Sequence, residues 1–278
     1  ATVNRFCGSS MQAIHMAAGA IRLEAGDVFL CAGVESMTRV PIGGYNLLPH
    51  PVLAKDYPQA FISMGMTAEN VAKHYGLSRQ EQQDFAIMSH TRATQARDAG
   101  RLTDEIVPFG SVMQDGCIRA GVTQEALDTL KPAFLETGTV TAGTSSPLTD
   151  GAAATLVTSE DYARAHNLPI LARIRSIAVS GCAPEMMGIG PVSATKKALQ
   201  RAGLSLSDMD IIELNEAFAS QSLAVIRDLD LDVAKVNLDG GAIALGHPLG
   251  ATGARITGKA ASLLKREGKQ FALATQCI

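Results

Sequence analysis

The stretch VNRFCGSSMQAIHMAAGAIRLEAGDVFLCAG, residues 3–33, sets the fold class. After Cys7, apolar residues at Met11, Ile14, Ala18 and Ile21 recur at helical spacing. Gly26 stops that helix, and VFLCAG follows as a short buried strand. The order is loop, helix, strand, with Cys7 at or next to the helix N-terminus. The same order returns near the other end of the chain. VNLDGGAIALGHPLGATG (236–253), a long helical stretch and KREGKQFALATQ (265–276) give Val-Asn, a glycine-bearing loop, a helix, a glycine stop and a small apolar strand. Cys7 and His247 each lie just before the helix of their own half. Alternating strands and helices in both halves predict an α/β fold of two related layers.

Between the halves the chain changes character. VPIGGYNLLPHPVLAKDYP (40–58) is rich in Pro and Gly and reads as loop. MTAENVAKHYG and SRQEQQDFAIMSHTRATQARDAG read as helices, the second opened by Ser78 and Glu81 at capping-box spacing. DEIVPFGSVMQDGCIRAG reads as strand and turn. AAATLVTS (152–159) is a buried strand candidate, and LARIRSIAVSG (171–181) opens a second block of strands and helices. Pro191 and Gly203 bracket a helix, DIIELN (210–215) is a strand ending at Asn215, and the last strand ends at Cys277.

Composition narrows the function classes. The 278 residues carry 24 basic and 27 acidic side chains with no basic stripe, which argues against nucleic-acid binding. Five cysteines, Cys7, Cys31, Cys117, Cys182 and Cys277, form no CxxC pair, so a disulfide framework or zinc site is not expected and a reducing, cytoplasmic compartment is. No apolar run reaches the roughly 18 residues of a membrane span.

Four stretches carry reactive side chains. A cysteine at a helix N-terminus can have a lowered thiol pKa, and the helix amides can stabilise an oxyanion; a buried core cysteine is the alternative. His247 sits among Gly240, Gly241, Gly246, Gly250 and Gly253, where backbone can approach a ligand closely, or where a tight core loop is built. Asn215, at a strand's carboxyl end, either faces a crevice or caps the helix EAFASQSLAVI. Cys277 alone reads as a buried thiol. Two cysteines and a histidine on separate loops are the parts for acyl transfer.

Together these stretches resemble the thiolase family. VNRFCGSSMQA is similar to its nucleophile motif, NLDGGAIALGHPLGATG to its histidine signature, and NEAF and the strand ending at Cys277 to its other active-site loops. SMGMTAENVA, TAGTSSPLTDGAAA and MMGIGPVSATKKAL resemble further thiolase segments, so the likeness runs along the whole chain. The resemblance implies a five-layered αβαβα fold of two similar halves with mixed sheets plus an inserted loop domain. It divides the chain into an N-terminal half (1–38 and 146–168), a loop domain (39–145) and a C-terminal half (169–278).

The resemblance implies that Cys7 attacks a 3-ketoacyl-CoA and that His247 activates it. Asn215 positions a water, and Cys277 moves the second proton. It places Ser146 and Ala142 on the pantetheine, with apolar contacts from Met64, Met187 and Phe218. Coenzyme A is then a substrate, with no permanently bound cofactor and no metal. A homodimer or homotetramer, in association with a multifunctional β-oxidation enzyme, is implied too. Short-chain biosynthetic thiolases carry a histidine at the position of Ser63, so this chain leans to degradative 3-ketoacyl-CoA thiolase. A biosynthetic acetoacetyl-CoA thiolase and a non-catalytic lipid or CoA carrier are the alternatives. The family pattern also has residues before the cysteine motif and a Cys-x-Gly continuation after it; both lie outside these 278 residues. Apolar sheet faces are therefore expected to be exposed.

Overall fold

The computed structural model describes residues 1–46 and 48–278. Four strands and ten helices carry the fold among the described residues. The first half begins with α1 (Ser9–Arg22) and β1 (Val28–Ser36). The excursion follows with α2 (Pro51–Asp56), α3 (Met64–His74), α4 (Arg79–Asp98) and α5 (Gln124–Asp128). The chain returns through β2 (Asp150–Thr158) and α6 (Glu160–Ala165). The second half holds α7 (Gly190–Ala202), β3 (Ile211–Leu214), α8 (Ala219–Leu229), α9 (Ala242–Leu245), α10 (Leu249–Glu267) and β4 (Ala272–Thr275).

β1 and β2 form an antiparallel ribbon, with Leu30 opposite Leu156 and Ala32 opposite Ala154. β3 and β4 pair in parallel, with Ile211 opposite Ala272. α10 lies between the two sheets, beside α1, and α7 and α8 cover the far side of the second sheet. The layers therefore run sheet, helix, sheet, helix. The outer face of the ribbon is open, with Leu30 71%, Val34 74% and Leu156 52% exposed.

α10 reaches the centre because Gly250 and Gly253 leave its contact faces toward β1 and α1 without side chains. A Cβ on Gly33 of β1 would meet the Gly250 carbonyl oxygen at 1.9 Å, and one on Gly253 would meet the Met11 nitrogen at 2.2 Å. Only glycine permits these backbone approaches. The Glu35 carboxylate accepts the Gly250 N–H at 3.1 Å, placing an anion at the positive end of α10. At its other end Gly268, in the left-handed region, terminates the helix.

The excursion does not stand apart. Val71 and Ala72 of α3 pack against Ala224 of α8, and Ser220 Oγ donates to the Ala68 carbonyl at 3.0 Å. The capping box at Ser78 and Glu81 starts α4, and Gly203, with φ +68, ends α7.

Four sequence expectations differ from the structure. Within 40–58, read as loop, Pro51–Asp56 forms α2, started by Pro51 in its first turn and the His50 cap. β1 and β2, read as buried strands, bury only Cys31 and Val157 fully, because their outer face is open. Residues 171–181 are not a strand. The segment forms no regular element and has no ladder partner among the described residues. Its Ile177 and Val179 carbonyls accept instead from Arg201 and Lys197 of α7. Residues 104–121, read as strand and turn, hold no strand: they begin at the end of a 3-10 turn (Thr103–Glu105) and make one isolated bridge, Phe109 with Val112, around Gly110. No helix among the described residues is long and apolar enough to cross a membrane.

Candidate active site

Cys7 lies in a single 3-10 turn, Phe6–Gly8, immediately before α1. The turn is sharp because Phe6 takes φ +44, a conformation that costs a bulky residue about 1–3 kcal/mol. Local hydrogen bonds hold it there: Phe6 N–H donates to Asn4 Oδ1 at 3.0 Å, Arg5 N–H to Ser9 Oγ at 2.9 Å, and Ser9 Oγ to the Phe6 carbonyl at 2.7 Å. Gly8 leaves room for Ile278, whose Cδ1 would lie 2.3 Å from a Cβ added there. That approach brings the end of the last strand beside the cysteine turn.

His247 arrives from the opposite helix. Gly246, at φ +93, turns the chain, and a side chain there would collide with Thr149. The His247 N–H donates to Thr149 Oγ1 at 3.1 Å. Its Nε2 lies 3.2 Å from Cys7 Sγ and 3.3 Å from Asn215 Nδ2, and its Nδ1 lies 2.6 Å from Thr252 Oγ1. Asn215 extends the parallel ladder, its N–H donating to the Thr275 carbonyl at 3.0 Å. The cap of α8 is Phe218, so the capping alternative for Asn215 does not hold. Its Oδ1 is buried without a protein partner.

Behind these groups the buried Glu216 joins three elements. It accepts from Ser89 Oγ at 2.6 Å, Asn237 Nδ2 at 2.7 Å and the Ile243 N–H at 3.2 Å. The neighbouring Asp239 takes Lys259 at 2.6 Å, Arg266 at 2.5 Å and Arg101 at 3.2 Å. The loop leading to His247 is thus pinned to α4 and α10 by buried polar contacts, whose rupture leaves uncompensated groups.

Cys277 is buried in a small cluster with Met187 and Ala217, against Phe218. Cys7, His247, Cys277, Met64, Ser146, Met187 and Phe218 line one cavity; Asn215 lies behind its wall, and Ala142 stands exposed in a turn outside it. Two contributors were not singled out from the sequence. Phe134 lines the cavity and stacks edge-on against Phe218 at 5.9 Å, in space that Gly65 leaves open. Thr252 holds the far side of the His247 ring. A glycine beside Met64 and a hydroxyl in the first turn of α10 were the available signals.

The electrostatics correct one expectation. Cys7 is not an acidified thiol: burial pushes it up to about 12, its own backbone amide opposes this weakly, and Glu35 adds to the rise. Burial, with Arg255 nearby, lowers His247 to about 3. Burial and then Cys7 raise the Cys277 thiol. Both shifts favour the uncharged forms, a neutral thiol beside a neutral imidazole. Alkylation of Cys7 by iodoacetamide should accordingly climb about tenfold per pH unit through neutrality, because thiolate remains scarce below a pKa near 12. A plateau near pH 7 would reveal a preformed thiolate–imidazolium pair instead.

Comparison with known proteins matches residues 1–161 to the family described as "Thiolase, N-terminal domain" and residues 168–278 to "Thiolase, C-terminal domain". The chain is similar to proteins named 3-ketoacyl-CoA thiolase from Shewanella loihica (52% identical) and Shewanella oneidensis (51%). Each alignment takes in all of this chain and 75% of the relative. Among solved structures, human mitochondrial 3-ketoacyl-CoA thiolase superposes with a TM-score of 0.91 at 43% identity, over 99% of this chain and 75% of that one. The same human enzyme in complex with CoA gives 0.90 at 44% identity, over 99% and 74%.

Proposed function

The chain belongs to the thiolase family, and from that premise we propose that it cleaves 3-ketoacyl-CoA with coenzyme A, by way of an acyl group carried on Cys7. It is an acetyl-CoA C-acyltransferase of the degradative, 3-ketoacyl-CoA type. The observation that carries the assignment of Cys7 is the 3.2 Å approach of its sulfur to His247 Nε2 inside a buried pocket.

In this reading Cys7 Sγ bonds to the keto carbon while its proton passes to His247 Nε2. The imidazolium then faces the oxyanion, together with a water held by Asn215. Collapse of that adduct breaks the carbon–carbon bond, and the Cys277 thiol protonates the departing carbanion to give acetyl-CoA. The Cys277 thiolate next takes the proton of an incoming CoA thiol, which attacks the acyl-enzyme. Cys7 leaves and recovers its proton from His247. Each step needs a soft nucleophile on one side of the substrate and a separate acid or base on the other, the arrangement of Cys7, His247 and Cys277 about one cavity.

Met64, Met187 and Phe218, with Phe134 against Phe218, give the pantetheine an apolar wall, and Ser146 on the same cavity a polar contact; the contact that the family pattern assigns to Ala142 rests on the resemblance alone, because Ala142 stands outside the cavity. Residues 39–145 serve as the cover over that pocket. Ser63 in place of histidine, and the relatives' names, favour degradation over biosynthetic condensation. The reading extends to a cytoplasmic homodimer or homotetramer that works with a multifunctional β-oxidation enzyme.

Mass spectrometry after exposure to acetoacetyl-CoA tests the covalent step. An acetyl adduct on the peptide bearing Cys7 is expected. A folded protein that consumes the substrate with no such adduct would remove Cys7 from the mechanism.

A further inference from the structure

The two ring nitrogens of His247 face partners of different kinds. Nε2 looks toward Cys7 Sγ at 3.2 Å and Asn215 Nδ2 at 3.3 Å, a thiol and an amide that both offer hydrogen. Nδ1 looks toward one group, the Thr252 hydroxyl, at 2.6 Å. That hydroxyl also lies 3.1 Å from the Pro248 carbonyl oxygen, which can only accept. Thr252 has a single hydroxyl proton. With that proton on Pro248 O, the oxygen lone pair is turned to the ring and takes an N–H from Nδ1. Thr252 is fully buried, so solvent does not compete for either bond.

We infer that Thr252 is a positioning residue that holds His247 in the Nδ1–H tautomer, so that the Nε2 lone pair is presented to the Cys7 thiol. The opposite tautomer would set an Nε2–H against the thiol and the Asn215 amide, leaving three donors and only the weakly accepting Cys7 sulfur at the reacting end. A neutral imidazole of that form could not take the Cys7 proton. Tautomer selection through the second ring nitrogen is how an outer partner makes a histidine a base on one side only. Thr252 is placed to do this because it stands one helical turn after Pro248, so its side chain returns over the residue that precedes α10. The inference rests on the reading of His247 as the base for Cys7.

The test uses the full chain with Thr252→Val, which keeps the shape and loses the hydroxyl, and Thr252→Ser, which keeps the hydroxyl. In thiolysis of acetoacetyl-CoA, Thr252→Val is expected to lower kcat by ~10²-fold, a general-base loss, with KM little changed, and Thr252→Ser to restore most of it. Nitrogen NMR of the His247 ring should show Nδ1 protonated in the unaltered protein and mixed tautomers in Thr252→Val. An unaltered protein with Nε2 protonated would overturn the inference without any variant, as would full kcat in Thr252→Val. His247→Asn separates the two levels. If it is inactive while Thr252→Val is fully active, the tautomer inference fails and the base assignment stands. If His247→Asn retains activity, the base assignment itself fails.

Discussion

Cys7→Ala is expected to abolish thiolysis, with a loss on the order of 10⁴–10⁶ in kcat, the scale seen when a covalent nucleophile is removed. The size follows from where the residue stands. Every later step depends on the bond first made to its sulfur. Neither neighbour can substitute: His247 lies between Cys7 and Asn215, and Cys277 sits in its own apolar cluster. The fold should survive, because the substitution removes one buried atom and leaves the Phe6–Gly8 turn intact, a cost of about 1 kcal/mol. Circular dichroism and CoA binding should therefore match the parent protein while turnover is lost. If a folded Cys7→Ala protein keeps a substantial part of its activity, with acyl label on Cys277, the two cysteines have exchanged roles and the mechanism must be redrawn.

Much of this was readable in the linear sequence, for a physical reason. The cysteine turn, the glycine-rich loop before His247 and the strand ending at Asn215 are local features, and local spacing reports them. Gly203 and the Ser78–Glu81 cap were legible on the same ground. What tertiary packing decides was not legible. The high pKa of Cys7 arises because α10 and the segment around Cys277 close over it, and no property of the heptapeptide around Cys7 contains that burial. Thr252 looks like any hydroxyl near a helix start until Pro248 and His247 are placed in three dimensions. Phe134 meets Phe218 only because the excursion folds back over the second half. Residues 171–181 have a strand-like composition, but a strand also requires a partner.

Gly253→Ala is expected to disable the site from a distance. Gly253 is where α10 crosses α1, and an added Cβ would meet Met11 N at 2.2 Å, Met11 Cβ at 2.6 Å and Met11 Cα at 2.8 Å. Two of those atoms are backbone, so no rotamer change relieves the contact; the helices must part. Cys7 and His247 each stand one residue before the cap of their helix, Gly8 for α1 and Pro248 for α10, so separating the axes also separates sulfur from Nε2. The starting distance of 3.2 Å is a close sulfur–nitrogen contact, and any parting of the axes lengthens it. A displacement of about 1 Å costs on the order of 10² in rate for a positioned reaction. We expect at least that loss in kcat, with iodoacetamide labelling of Cys7 altered in the same variant, and a lower Tm from overpacking worth about 1–3 kcal/mol. Gly258→Ala is the matched control. It lies further along α10, where an added Cβ comes no closer than 3.2 Å to Thr155 Oγ1, a side-chain atom that can yield. If Gly253→Ala is as active as Gly258→Ala, the close helix crossing does not set the geometry of Cys7 and His247.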